Sequence, residues 1–339
     1  MGEEIKKKKI EHMKPIILSE DGLENFKKTN KIWRVCDVYG SQRAELAKIK
    51  SGVGDEPPGH WIYYPWSGEL IHILAENDYF FLRTNRNRNL ITEAEQKKLY
   101  DFPVAMVGLS VGNSIALSLA YGGFSGTMKL SDRDNLETGN LNRIRAGVSN
   151  MNVPKIELTA QQIYEINPYA DLHLFSDGLN NGNVAGFVAG DPKPKLIFEE
   201  IDDFKMKIKI RLTARGVGVP VIMLTNLGDS ILVDVERYDL DKNTKVFNGK
   251  VEEKIINEIL NGSIGLEEEK KYAVQIVGRE NLSQRIIESL PEIGKTLAGR
   301  PQLGGTVAAC GGLAAYLARK IALGELLPSG RKLLRFDLW

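Results

Sequence analysis

The sequence predicts an α/β fold in which a mostly parallel β-sheet carries helices on both faces. Two observations predict it. Short apolar runs alternate with amphipathic helical patterns over residues 101–240, and strands that alternate with helices form parallel sheets covered on both sides. The stretch VAMVGLSVGNSIA, residues 104–116, has the pattern of a buried strand, a tight glycine turn and the start of a helix, which is typical of Rossmann-like sheets.

Composition and length fit a cytoplasmic protein of about two domains. The 339 residues are 42% hydrophobic and 26% charged, with a net charge of +1, so we expect no general affinity for nucleic acid. Cys36 and Cys310 lie far apart and form no CxxC pair, which indicates a reducing compartment and no disulfide framework. The lysine run in residues 1–14 precedes no apolar segment, and Val307–Leu323 contains glycines and basic residues. We therefore expect neither a signal peptide nor a membrane span.

Residues 1–82 are predicted to form a mixed α/β domain. Within it, Gly22–Leu46 has helix-like periodicity, and Ser51–Pro58 is a loop rich in glycine and proline. His60–Leu82 is aromatic and predicted to be rich in strand. This zone carries no catalytic signature.

Residues 83–339 are predicted to form the second domain. Its predicted strands are Val104–Val107, Met128–Ser131, Leu172–Phe175, Leu196–Phe198 and Val219–Leu224. Its predicted helices are Asn113–Ala120, Pro154–Ile166 and Phe204–Arg215, with Pro154 at the first helical position and Gly216 as the stop of the third helix. A helical insert at about 248–300, a small-residue helix over Thr306–Leu317 and a last strand at Lys332–Phe336 complete the pattern.

Gly108-Leu-Ser110-Val-Gly112 spells G-x-S-x-G, the nucleophile elbow of serine hydrolases. That chemistry needs a histidine base later in the chain. Only His173 follows Ser110, and it lies in the middle of a predicted strand rather than on a loop. No HGGG-type oxyanion segment precedes the elbow, so the hydrolase interpretation is disfavoured.

The same turn also fits a loop that binds a nucleotide phosphate, because glycines let backbone N–H groups approach a ligand. Asp132 follows about twenty residues later, at the end of the next predicted strand, where an acid binds ribose hydroxyls. Several acids and asparagines, followed by Arg143, lie in the segment after that strand. Asparagine and arginine can hold a triphosphate. The segment therefore favours a site for a nucleoside triphosphate over a plain nicotinamide dinucleotide site.

Five ordered blocks resemble the ThiF/MoeB/E1 superfamily of ATP-dependent adenylyltransferases, which activate ubiquitin-like and sulfur-carrier proteins. They are the glycine loop Gly108–Asn113, the pair Asp132 and Asp134, the block Gly139–Ile144, the pair Pro154-Lys155, and Asp202 after a further strand. The resemblance covers about residues 83–237. It implies an adenylation domain that binds ATP and Mg²⁺ and transfers AMP to a carboxylate, releasing pyrophosphate.

The resemblance also implies roles for single residues. Asp132 would bind the ribose, and Asp202 would help bind Mg²⁺. Asn140, Arg143 and Lys155 would hold the triphosphate and the charge that develops at the α-phosphorus. The glycine loop with Ser110 and Gly112 would complete the nucleotide site beside Asp134. An arginine before the first strand, Arg86 or Arg88, would reach the γ-phosphate of the neighbouring subunit's ATP, which implies a homodimer.

The sequence departs from the family in several places. Ser110 and Asn113 replace glycines of the loop, and Ile144 ends the block in place of glutamine. The paired CxxC motifs are absent, so no zinc is expected, and neither cysteine is placed as an obvious nucleophile. The expected substrate is the C-terminal carboxylate of a ubiquitin-like or sulfur-carrier protein or of a peptide. A nicotinamide-dependent oxidoreductase and a non-catalytic nucleotide-binding scaffold stay open as alternatives.

Overall fold

A computed structural model describes residues 13–50, 56–262 and 265–336. The predicted N-terminal lysine run and most of the Ser51–Pro58 loop lie outside these residues. The described residues form a four-stranded and a seven-stranded β-sheet. Among the described residues, no helix combines the length and apolarity needed to cross a bilayer.

The smaller sheet has the strand order β1-β3-β4-β2. Its elements are β1 (Ile16–Leu18), α1 (Leu23–Thr29), β2 (Arg34–Asp37), α2 (Tyr39–Ile49), β3 (Gly59–Tyr64) and β4 (Glu69–Leu74). The helical periodicity therefore spans two helices, divided by β2 because β2 pairs in parallel with β4. The aromatic stretch His60–Leu82 is strand only as far as Leu74, since α3 (Glu76–Thr84) follows and crosses the predicted domain boundary.

The larger sheet confirms the predicted fold class. Its strand order is β11-β10-β9-β8-β5-β6-β7, and the run from β9 to β7 is parallel. The strands are β5 (Val104–Val107), β6 (Thr127–Ser131), β7 (Asp171–Phe175), β8 (Leu196–Glu199), β9 (Val221–Asn226), β10 (Ser230–Glu236) and β11 (Gly330–Arg335). The sequence interpretation missed β10, which pairs antiparallel with both β9 and β11.

Helices cover both faces of this sheet, because alternate side chains of the buried strand β5 point in opposite directions. Val104 and Met106 pack in one core with α5, α6 and α12, whereas Ala105 and Val107 pack in the other with α7 and α8. The bounds are α4 (Glu93–Tyr100), α5 (Val111–Tyr121), α6 (Lys155–Ile166), α7 (Val184–Ala189), α8 (Phe204–Val217) and α12 (Gly304–Ala322).

Two glycines define how these helices end and pack. The predicted stop at Gly216 is wrong, because α8 continues to Val217 and ends at Gly218, whose φ of +68° is the left-handed conformation that glycine adopts. The small-residue helix α12 packs closely on α5. A Cβ on Gly311 would lie 2.5 Å from the Ser114 carbonyl oxygen, so the small residue permits this close packing.

The region at about 248–300 is largely helical. It contains α9 (Glu253–Asn261), α10 (Leu266–Val277) and α11 (Gln284–Ser289). The sequence interpretation anticipated the first and last of these and missed α10. Ile276 of α10 packs with α9 and with Phe204 of α8, so the insert is held against the larger sheet's helices.

Candidate functional site

A cavity of about 620 Å³ opens at the carboxyl ends of the parallel strands, where α/β sheets bind ligands. It lies beyond β5, β6, β8 and β9, with one wall from the helical insert. Its volume is in the usual range for small-ligand sites. The predicted site residues that line it are Gly108, Ser110, Asp132, Asp134, Arg143, Lys155 and Asp202.

Gly108 lets the loop after β5 turn against the segment after β8. Its φ is +85°, and a Cβ there would lie 2.8 Å from both the carbonyl carbon and oxygen of Glu200. Its N–H donates to the Ser131 carbonyl at 2.8 Å. Both the left-handed conformation and the close approach require glycine. Gly108 therefore allows the loop after β5 to pack against Glu200 at the base of the cavity.

Asp132 joins the loop after β5 to the segment after β6. Its Oδ2 accepts from the Leu109 N–H at 2.6 Å, and its Oδ1 accepts from the Asp134 N–H at 2.8 Å. Burial raises the pKa of Asp132, although these two hydrogen bonds act in the opposite direction. Each carboxylate oxygen has a second lone pair, so Asp132 can still accept a ligand hydroxyl.

Ser110 is bonded to an arginine. Its Oγ accepts from Arg143 Nε at 2.9 Å, whereas His173 lies on β7 and bonds to Asp171 at 2.8 Å. Arg143 Nη1 also donates to the Gly139 carbonyl and to Asn142 Oδ1. These contacts orient the guanidinium at the cavity and leave Nη2 without a partner among the described residues, available to an anion.

Lys155 begins α6, and its side chain is nearly buried. The Nζ atom lies 3.1 Å from Asp134 Oδ2, and the Lys155 N–H donates to the Asp134 carbonyl at 2.9 Å. The carboxylate is 62% exposed while the lysine side chain is 10% exposed. The ammonium is therefore held in place at the cavity, and an anionic ligand could replace its exposed partner.

Asp202 carries an exposed carboxylate that pairs with Arg300 from the end of the insert. No group of three or more His, Cys, Asp or Glu side chains in the described part of the chain could hold a metal by itself. Mg²⁺ in nucleotide sites commonly takes one or two carboxylates, with phosphates and water completing the shell. A single exposed Asp202 fits that mode and not an all-protein metal cage.

Four of the predicted residues do not line the cavity. Gly112 is buried inside α5, and Asn140 Oδ1 accepts from the Glu137 N–H within its own turn. Arg86 and Arg88 lie exposed near the end of α3. Asn113, the other altered loop position, donates to Thr159 and Gln162 of α6, so it joins two helices.

The sequence interpretation missed a charge network beside the cavity, which its member Lys207 also lines. Arg211 pairs with Glu199 and with Glu236, each at 2.6 Å, and Lys207 Nζ lies 2.8 Å from Glu199. Burial by itself would raise the pKa of Glu199. The positive charges of Lys207 and Arg211 outweigh this effect, so the pKa of Glu199 is lowered. The sequence does contain a signal for this network. Lys207 and Arg211 lie four residues apart on α8, and they follow the acids at the end of β8.

Glu200 is a second missed residue at the cavity. It is partly buried, and its Oε1 accepts from the Leu224 N–H at 2.8 Å. Burial raises the pKa of Glu200 well above its usual range, whereas the pKa of the neighbouring Glu199 is lowered.

Several known proteins are similar to the chain. The ThiF family is matched by residues 84–339. The uncharacterized protein MT1398 of Mycobacterium tuberculosis (strain CDC 1551 / Oshkosh) is 36% identical over 276 residues, which are 81% of this chain and 38% of that protein. The sulfur carrier protein ThiS adenylyltransferase of Escherichia coli (strain K12) is 28% identical over 156 residues, 45% of this chain and 61% of the relative.

Solved structures add to these relatives. The crystal structure of E. coli MccB with ATP superposes with a TM-score of 0.53 at 17% identity, covering 78% of this chain and 71% of the other. At that identity the likeness shows the fold. The chain spans 38% and 61% of the lengths of the two sequence relatives.

Proposed function

Since this chain belongs to the ThiF family, we propose that it uses Mg·ATP to adenylate the C-terminal carboxylate of a carrier protein or peptide. The observation that carries the proposal is the single cavity in which Asp132, Arg143 and Lys155 meet Asp202. A ThiS adenylyltransferase among the sequence relatives and a solved MccB with ATP support it. Residues 83–339 would form the adenylation domain and residues 1–82 a mixed α/β domain.

The proposed reaction forms a bond between an acceptor carboxylate oxygen and the α-phosphorus of ATP. The bond from that phosphorus to the bridging oxygen breaks, and pyrophosphate leaves with the electron pair. No protein nucleophile takes part, so the chain must position reactants and stabilise charge. This requirement is consistent with a cavity that offers the cations Arg143 and Lys155 and no histidine among its described lining residues.

Each polar group has a defined task in this scheme. Asp132 accepts from ribose hydroxyls through its remaining lone pairs, which places the α-phosphate near Gly108. Arg143 and Lys155 donate to phosphate oxygens, and Lys155 exchanges its exposed partner Asp134 for the phosphate. Asp202 holds Mg²⁺, which would supply positive charge to the phosphates and the leaving pyrophosphate.

ATP binding and pyrophosphate exchange with β-grasp carrier proteins test the proposal. We expect Arg143→Ala to weaken ATP binding roughly 10- to 100-fold, because charge-assisted hydrogen bonds to phosphate are lost. Arg145→Ala is the matched control, since Arg145 is exposed and lies outside the cavity. Equal ATP affinity in both variants contradicts the proposal. ATP binding without exchange favours a scaffold, and NAD binding favours an oxidoreductase.

The proposal includes a homodimer in the cytoplasm. Arg86 and Arg88 are exposed and lie outside the cavity of their own chain, so one of them could reach the ATP of a neighbouring subunit. Mixing Arg143→Ala chains with chains that carry Arg86→Ala and Arg88→Ala should restore part of the exchange activity. Absence of any restoration argues against a shared site.

A further inference from the structure

The cavity continues past the nucleotide-binding groups into an apolar half. On the sheet side this half is lined by Leu224 and Leu227, with Thr225 and Asn226 between them, at the end of β9 and just after it. On the insert side it is lined by Val274, Val277, Leu282 and Ile286, and every described lining residue between 273 and 293 is aliphatic. The aliphatic side chains of the insert wall, with Leu224 and Leu227 opposite, favour an aliphatic ligand group.

The apolar half lies at the opposite end of the cavity from the proposed ribose acid. Asp132 follows β6, whereas Leu224 belongs to β9, and the strand order places β8 and β5 between them. Asp202, which follows β8, and its partner Arg300 lie at the junction. A nucleotide held by Asp132, Arg143 and Lys155 occupies the polar half and leaves the apolar half for a second reactant.

The insert wall is anchored to the sheet. Leu227, Leu232 of β10 and Val277 form a small buried core, and Leu282 and Ile286 pack on it while staying partly exposed. The Ile286 Cδ1 atom lies 3.8 Å from the position of a Cβ on Gly228. The apolar half is therefore preformed, which lowers the entropic cost of binding a side chain there.

We propose that the apolar half binds the aliphatic side chain of the acceptor's C-terminal residue, so that the acceptor ends in a residue such as leucine. The inference rests on the proposed adenylation. A side chain held there positions the terminal carboxylate at the junction near Asp202, beside the α-phosphate. A terminal glycine leaves this volume unfilled, and a polar side chain loses its hydrogen bonds to water.

Two nearly isosteric peptides, acetyl-Gly-Gly-Leu and acetyl-Gly-Gly-Asn, test the inference by calorimetry on the full chain with Mg²⁺ and a non-hydrolysable ATP analogue. We expect the leucine peptide to bind roughly 10- to 100-fold more tightly, the gain from burying one aliphatic side chain. Pyrophosphate exchange should follow the same preference. Equal affinities, or failure of both peptides to bind, overturn the inference while ATP binding separately reports on the proposed function.

Neighbouring isoleucines of α11 provide a matched pair of variants. Ile286→Asn should reduce the leucine preference below about threefold, because it places an amide in the apolar half. Ile287→Asn should keep the preference, since Ile287 does not line the cavity. Val274→Asn on α10 is a second, independent probe should Ile286→Asn fail to fold, and ATP affinity reports the integrity of each variant. An unchanged preference in folded Ile286→Asn or Val274→Asn overturns the inference.

Discussion

Replacing the two glycines of G-x-S-x-G by alanine should have opposite effects on stability. At Gly108, a Cβ would lie 2.8 Å from the Glu200 carbonyl group on a backbone with φ of +85°. The left-handed conformation costs about 1–2 kcal/mol, and forcing a methyl group against fixed backbone costs about 1–3 kcal/mol more. We expect Gly108→Ala to lower the free energy of unfolding by about 2–5 kcal/mol.

Gly112→Ala is the matched control four residues later. Its Cβ would meet only Leu109 Cδ2, at an ordinary 3.5 Å, inside α5. Alanine is favoured over glycine in a helix by about 0.5–1 kcal/mol, so this variant should be as stable as the wild type or more stable. Urea unfolding followed by circular dichroism measures both, and ATP titration should show a loss of affinity only for Gly108→Ala. If Gly108→Ala unfolds at the wild-type urea concentration, the assigned role of Gly108 is wrong.

Three further substitutions test single contacts. Ser110→Ala should weaken ATP binding roughly 3- to 10-fold by removing an acceptor of Arg143, and unchanged affinity would show that the hydroxyl does not orient the guanidinium. Because the pKa of Glu200 is raised, the contribution of this residue to stability falls as pH rises above the usual value of 4.5. In urea unfolding, Glu200→Gln should therefore gain stability relative to wild type as pH rises from 5 to 8. If the difference in free energy of unfolding between the two proteins stays constant over this range, burial does not raise the pKa of Glu200. Arg300→Gln should lower the Mg²⁺ concentration needed for ATP binding roughly two- to fivefold by releasing Asp202; no change in the Mg²⁺ titration excludes competition at this carboxylate.

The parallel strands were predictable because continuous apolar runs and intervening helices leave a local signal. Val104–Val107 is a strand with the predicted bounds, and the other four predicted strands begin and end within two residues of prediction. Strand β10 was not predicted, because its pairing with β9 and β11 depends on tertiary contacts. Helix α10 was not predicted, because it begins with the mostly charged run LEEEK. This run weakens the apolar pattern in the sequence, to which the buried residues Ile276 and Val277 belong.

The order of the motifs along the sequence predicted which side chains line the cavity more accurately than it predicted the hydrogen bonds between them. Asp132, Arg143 and Lys155 come together because each follows or begins an element at the same edge of the sheet. The bond from Arg143 to Ser110 spans 33 residues, and no local pattern specifies it. The apolar half depends on the insert folding back over β9, which likewise has no local signal.

The run FEEIDD, residues 198–203, places four acids beside a site proposed to bind a highly anionic nucleotide. Left ionised and unpaired, they would repel phosphates. Glu199 is compensated by Lys207 and Arg211, and burial raises the pKa of Glu200, which favours its neutral form. Both effects reduce the negative charge that these two glutamates place at the cavity.

The remaining two acids are separated by their position relative to α8. Asp203 Oδ1 accepts from the Met206 N–H at 2.8 Å, so this carboxylate caps the helix and interacts favourably with its N-terminus. Asp202 caps no helix and presents an exposed carboxylate to the cavity, paired with the exposed Arg300. With Glu199 paired to Lys207 and Arg211 and Asp203 capping α8, Asp202 is the acid of this run best placed to hold a cation against bound phosphates. This arrangement is the physical reason for assigning Mg²⁺ to Asp202 and not to its neighbours.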